Sequence, residues 1–223
     1  MSEALLLLRR CLLLALITIF FSSFVIALSG AMMPGPMLTA TISQSSRRGI
    51  WTGPLLVVGH GFLELALLVA LMIGLAPLLL KDNVFTVIAL AGSVILLWMA
   101  WDIFKSLPSL RLEWQDGGEH HGRLVLYGIL LSLANPYWYI WWATIGLGYI
   151  AQCRTSGMAG IAVFFIGHIL GDMAFYGLVS TTVAKGRSFF SERLYRRVLG
   201  SCACLLVGFA FLFAFAGLQK ILS

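Results

Sequence analysis

Charged and titratable side chains are scarce inside the long apolar segments of this chain, and they come in matched pairs. Gly59-His60-Gly61-Phe62-Leu63-Glu64 recurs 108 positions later as Gly167-His168-Ile169-Leu170-Gly171-Asp172. In each copy the imidazole and the carboxylate are four residues apart, so on a helix they share one face. Such groups are expensive in a bilayer and mark places where protons, ions or polar solutes are handled. Ionised Glu64 and Asp172 need a partner there: a protonated histidine, a cationic substrate group or a metal ion. Two histidines with two carboxylates make a plausible transition-metal shell, and equally a proton-exchanging pair of pairs.

The composition requires a membrane around these residues. Hydrophobic residues make up 60% of the 223 and charged residues 11%, and the mean hydropathy is +0.96. A soluble domain carries roughly 25% charged residues, so this chain reads as an all-α integral membrane protein. Its net charge of +6 lies between apolar spans, where Lys and Arg set orientation rather than bind nucleic acid. The apolar run after Arg9-Arg10, from Leu12 to Met33, is long enough to span and is read as retained, not as a cleaved leader.

Six spans are expected: residues 12–33 (continuing to 46), 52–73 (extending as far as 80), 85–104, 124–149, 157–183 and 194–218. They form a single transmembrane domain over 1–223, with one repeat at about 12–106 and a second at about 122–221. The offset that superimposes the His-acid pairs also superimposes Gly49 on Gly157 and Gly92-Ser93 on Gly200-Ser201. Three spans per half is an odd number, so the halves must enter the bilayer in opposite senses. That is the inverted repeat of many secondary transporters, which bind substrate near the midplane. Arg9, Arg10, Lys81, Arg154 and Lys220 fall on the N-terminal side. Ten basic residues fall opposite: Arg47, Arg48, Lys105, Arg111, Arg123, Lys185, Arg187, Arg193, Arg196 and Arg197. The richer side is assigned to the cytoplasm, which leaves both termini outside the cell membrane.

Pro34-Gly35-Pro36 breaks the first span and Asn135-Pro136 the fourth. Proline removes a donor and frees carbonyls, and irregular backbone survives in a bilayer only where protein or a watery cavity satisfies it. Helices restarting at these breaks would direct N-terminal amides at an anionic group such as a carboxylate. Tyr137, Trp138, Tyr139, Trp141 and Trp142 follow the second break and are read first as interface anchors or core, with cavity lining as the alternative. Gly146, Gly148, Gly171 and Gly177 suit close helix packing. Glu119-His120-His121 reads as a solvated loop, and Asp102 as interfacial. The four cysteines, Cys11, Cys153, Cys202 and Cys204, lack a CxxC spacing and read as small apolar residues.

Met33-Pro34-Gly35-Pro36, the Arg47-Arg48-Gly49 turn, the Gly59 to Glu64 segment and Asn135-Pro136 together resemble the LysE/RhtB family of amino-acid exporters, over nearly the whole chain. The resemblance implies six spans in two inverted three-helix repeats, often dimeric, exporting amino acids or their derivatives against protons. The chain departs from that pattern where Tyr137-Trp138 follow Asn135-Pro136 and where histidines stand beside the acids. It reads as a divergent member whose substrate is open.

The leading expectation is a proton-coupled secondary exporter of amino acids or similar small zwitterions, not an enzyme and without a cofactor. His60, Glu64, His168 and Asp172 would exchange protons and hold the ammonium, and Pro34, Gly35, Pro36, Asn135 and Pro136 would shape the carboxylate site. The alternative is a divalent-cation exporter with His60, Glu64, His168 and Asp172 as metal ligands.

Overall fold

The computed structural model of the chain describes residues 2–79, 81–109, 121–186 and 191–222. Helices account for nearly all of them, with no strand among the described residues. A helix satisfies its backbone groups internally, as a chain in hydrocarbon must. Helix α1 (Ser2–Ala31) ends at the first proline break, and α2 (Pro36–Arg48) restarts with Pro36 in its first turn. Proline is tolerated there because the missing N–H has no helical partner anyway. The Gly35 carbonyl accepts from both the amide and the hydroxyl of Thr39, at 3.1 and 3.0 Å.

After a turn come α3 (Thr52–Ala70), a π-helical turn at Leu71–Leu75 bent at Gly74 (φ 109), and the short α4 (Ala76–Leu79). Helix α5 (Asp82–Ser106) closes the first half. The second half opens with α6 (His121–Leu133), breaks at Asn135, and continues as α7 (Pro136–Trp141), a π-helical turn at Trp142–Gly146, and α8 (Leu147–Cys153). Then follow α9 (Gly157–Lys185) and α10 (Glu192–Leu222).

Five stretches are long and apolar enough to cross a membrane: Leu6–Ala31, Thr52–Leu75, Asp82–Ser106, Pro136–Lys185 and Glu192–Ile221. Arg123–Leu133 is a shorter apolar helix. The 50-residue stretch from Pro136 would measure about 75 Å as one rod, over twice the hydrocarbon core. It is not one rod, because the chain doubles back at Gly157 (φ 69) and lays α8 beside α9. Gly49, at the repeat-related position before α3, also has a positive φ, of 80°. That conformation strains any side chain bearing a Cβ, so both halves place glycine at the same turn.

Contacts fix the helix directions. Along α3 and α6, Leu56 meets Gly128 and His60 meets Ser132, so these helices run parallel. Along α1 and α9, Phe20 meets Gly167 and Phe24 meets Gly171, so these also run parallel. Helices α3 and α9 are antiparallel, with His60 opposite Asp172 and Glu64 opposite His168. Helices α5 and α10 are antiparallel too: Gly217 lies against Leu90, Gly200 against Leu107, and Lys220 pairs with Asp82 at 2.7 Å.

Glycine sets the closest approaches. A Cβ on Gly59 would run into the Val125 carbonyl of α6, and one on Gly167 would stand 2.6 Å from the Phe20 carbonyl of α1. The two glycines are 108 positions apart and do the same work. Small residues at such crossings let backbones touch, which is how helices associate in lipid. Aromatics packed behind the His-acid pairs (Trp138, Trp141, Trp142, Phe164) form one buried cluster, and the α5–α10 seam forms another around Leu96 and Leu206. Outward-facing Trp98, Trp101, Phe211 and Phe215 are largely exposed on the same pair. Apolar surface of that kind suits hydrocarbon rather than water.

Candidate functional site

The two antiparallel helices α3 and α9 bring both His-acid pairs into one ring. His60 Nε2 is 3.0 Å from Glu64 Oε1 and 3.5 Å from Asp172 Oδ2. His168 Nε2 is 3.2 Å from Glu64 Oε2 and 3.5 Å from Asp172 Oδ2. Glu64, His168 and Asp172 are buried, and His60 is nearly so. The i, i+4 spacing points each pair inward, and the antiparallel crossing interleaves them, each imidazole touching the acid of both helices.

The ring is held from behind by residues of the broken fourth segment. The Ser132 hydroxyl donates to the Gly128 carbonyl at 2.7 Å, and its oxygen lies 2.7 Å from His60 Nδ1. With the hydroxyl hydrogen committed, Nδ1 is the donor, and Nε2 faces the acids. A neutral imidazole in that tautomer turns a bare lone pair toward two carboxylates. That arrangement is repulsive unless a proton or another cation lies between them.

Glu64 Oε1 also accepts from two indoles, Trp142 Nε1 at 2.8 Å and Trp138 Nε1 at 3.1 Å. Trp141 lies over His168 with ring centroids 4.8 Å apart, and its own Nε1 donates to Ser29 at 3.3 Å. By contrast Glu64 Oε2, His168 Nδ1 and Asp172 Oδ2 are buried without a hydrogen bond. Buried polar atoms almost always find a partner, so the two carboxylate oxygens, Glu64 Oε2 and Asp172 Oδ2, both beside His168 Nε2, mark where something else binds.

A cavity of about 50 Å³ opens on the ring, walled by Gly30, Ala31, Met37, Asn135, Tyr137 and Tyr176 among others. That is room for about three or four waters or one small solute. The second break reaches it through Asn135, and Ala31 and Met37 on its wall flank the first. Asn135 caps α7, its Oδ1 accepting from the Tyr137 amide at 3.1 Å, and its side-chain nitrogen would sit 3.5 Å from a Cβ on Gly35. Pro34, Gly35 and Asn135 share a second, smaller recess with Leu96, Leu206 and Phe213. Pro36 and Pro136 are fully buried, the latter seated against Gly92.

Of the alternatives for the aromatic run, core and cavity lining describe the tryptophans: Trp138, Trp141 and Trp142 are buried around the ring, and the i, i+4 spacing of Trp138 and Trp142 was the signal that both indoles share one face. Ser132 carried no such signal, because its role comes from the α3–α6 crossing. Gly171 packs on the Phe24 carbonyl, whereas a Cβ on Gly148 or Gly177 would meet nothing within 4 Å, and Gly146 makes room for the Trp142 ring of its own helix. Asp102 is exposed, and all four cysteines are free thiols. Of the Glu119-His120-His121 tract, Glu119 and His120 lie outside the described residues.

Comparison with known proteins places this site in a family. The chemotactic transduction protein ChpE of Pseudomonas aeruginosa is 28% identical over 200 residues, which cover 87% of this chain and 97% of the relative. No solved structure matches. The family described as LysE type translocator matches residues 28–217, which take in both proline breaks and both His-acid pairs. The chain belongs to the LysE type translocator family.

Proposed function

We propose that this translocator is a secondary exporter of amino acids or similar small zwitterions, coupled to proton exchange at His60, Glu64, His168 and Asp172. One observation carries the reading: two acids and two imidazoles meet in a single buried cavity that is also lined by Asn135 at the second backbone break and by Ala31 and Met37, which flank the first. A zwitterion needs both features, anionic oxygens for its ammonium and helix-start amides for its carboxylate. With the ring carrying two protons its charges balance, and an incoming ammonium can replace a proton at the same oxygens. Glu64 and Asp172 would exchange protons from different settings, Glu64 held by two indoles and Asp172 with its Oδ2 beside both imidazoles. Tyr176, whose hydroxyl donates to the Ala31 carbonyl at 3.2 Å, anchors α1 at the edge of the cavity.

In this reading the chain makes six crossings of the cell membrane, as two inverted three-helix halves with both termini outside. The helix directions support it: α1 pairs with α9 as α6 pairs with α3, while α3–α9 and α5–α10 cross as antiparallel pairs. A twofold axis in the membrane plane would generate that set. Its centre falls in the His-acid ring, where a transporter of this plan binds its cargo.

Proton-driven efflux of a panel of labelled amino acids from proteoliposomes tests the function. Glu64→Gln and Asp172→Asn should each abolish export of the accepted solute while the purified protein keeps its monodisperse elution. Undiminished export in both amides would reject the mechanism.

A further inference from the structure

We infer that the ring of His60, Glu64, His168 and Asp172 is also a binding site for one divalent transition-metal ion, Zn²⁺ or Co²⁺ in class. The inference rests on the proposal that this ring is the transporter's binding centre, but it is argued from separate geometry. Metal–nitrogen and metal–oxygen bonds of about 2.0–2.1 Å at tetrahedral angles hold neighbouring donors about 3.3 Å apart. The four imidazole–carboxylate separations here are 3.0, 3.5, 3.2 and 3.5 Å, Glu64 offering Oε1 to one imidazole and Oε2 to the other. Every donor lies within 4.8 Å of the rest. The imidazole–carboxylate edges of the ring are close to those of a tetrahedral shell, and a small inward movement of the side chains would close the rest.

Two further observations point to an ion rather than to mutual pairing. Glu64 Oε2 and Asp172 Oδ2 are buried and lack hydrogen bonds, although each lies beside an imidazole nitrogen. All four side chains converge on one small region of the interior. The supporting contacts are also those of a metal site. Ser132 fixes the His60 tautomer so that Nε2 faces inward, and Trp138 and Trp142 hold the Glu64 carboxylate. Ligands oriented in this way gain affinity from their outer partners.

The donor chemistry selects the ion. Two neutral imidazoles and two carboxylates around a dication sum to zero charge, which a dry interior requires. Imidazole favours Zn²⁺, Co²⁺, Ni²⁺ or Cu²⁺ over Mg²⁺ and Ca²⁺, and a tetrahedral arrangement favours the first two. The ion would occupy the oxygens that the proposed zwitterion needs for its ammonium, so metal and zwitterion exclude each other.

The full chain, purified in detergent and stripped with chelator, is titrated with Zn²⁺ and separately with Co²⁺. One Zn²⁺ per chain is expected, with the intense visible bands of tetrahedral Co²⁺ displaced by Zn²⁺ but not by excess Mg²⁺. His168→Gln should abolish the bands. Ser132→Ala, which removes only the outer contact, should weaken Zn²⁺ by about 10–100-fold. Weak, pale octahedral Co²⁺ spectra, or Zn²⁺ binding unchanged in His60→Gln and His168→Gln, would overturn the inference. The arms separate the two proposals. Amino-acid export that fails in Glu64→Gln, from a protein that takes up no Zn²⁺, removes the metal site alone. Stoichiometric Zn²⁺ binding with export intact in the amide variants keeps the metal site and removes the transport reading.

Discussion

Glu64 and Asp172 occupy the same place in the two halves, and the halves treat them differently. Around both, the frame is common: a glycine five positions earlier touches the backbone of a parallel neighbour, Gly59 on α6 and Gly167 on α1. The chemistry is not. Glu64 Oε1 takes two N–H groups, from Trp138 and Trp142, with His60 Nε2 at 3.0 Å, whereas Asp172 Oδ2 has two imidazoles at 3.5 Å and no hydrogen bond. The indoles come from α7 and the π-helical turn after it. The corresponding half-helix, α2, offers hydroxyls bonded to its own carbonyls instead, among them Thr41 and Ser45. Repeated backbone thus builds a symmetric cradle, and one substituted helix makes its two acids unequal, one anchored and one free.

The largest test of that difference removes each acid outright. Glu64→Ala strands two buried indole N–H groups, at about 1–3 kcal/mol apiece, whereas Asp172→Ala strands none. Thermal unfolding in detergent should show a far larger loss for Glu64→Ala. Equal losses would mean that the indoles do not distinguish the two positions.

The shared frame predicts the opposite, equality. A methyl added at Gly59 meets the Val125 carbonyl, and one at Gly167 meets the Ser23 hydroxyl and, behind it, the Phe20 carbonyl, so each alanine should cost about 3 kcal/mol, the upper range for overpacking. Melting curves of the two variants should shift together, and export should fall in both as the ring widens. A tolerant Gly167→Ala beside an intolerant Gly59→Ala would break the symmetry of the cradle.

How much of this could be read from residues alone follows the same division. The frame was legible because it is written in register: identical residue types at one offset, with glycine, histidine and acid each needed where they stand. Both helix breaks were legible because proline leaves a mark that no context hides. The anchoring was not. Ser132 reaches His60 across 72 positions of chain, and only the α3–α6 contact brings them together. The tryptophans were visible but their place stayed open between anchor, core and cavity wall, since a run of aromatics after a break looks the same whether it faces lipid or a carboxylate.

Exchanging one indole narrows the comparison further. Trp142→Phe keeps the ring that packs on Phe164 and deletes the 2.8 Å donor to Glu64. Hydrogen bonds to charged groups contribute roughly 1.5–3 kcal/mol, so the loss should be about 2 kcal/mol in stability. The pH dependence of export should move as well, because Glu64 would lose one of its two indole donors. A merely structural Trp142 would lower the melting temperature and leave that profile in place.

The smallest effect returns to the shared frame at its margin, where chemistry plays no part. Gly49 and Gly157 turn the chain into α3 and α9 at φ 80 and 69, and no atom lies within 4 Å of where a Cβ would go. Only backbone strain opposes alanine there, on the order of 1–2 kcal/mol, and it should be the same in both halves. Export by the two variants, measured below their melting points, should match the unaltered protein. If Gly157→Ala alone impaired export, the turn between α8 and α9 would be moving during the cycle, and the second half would be unequal in its motion as well as in how it holds its acid.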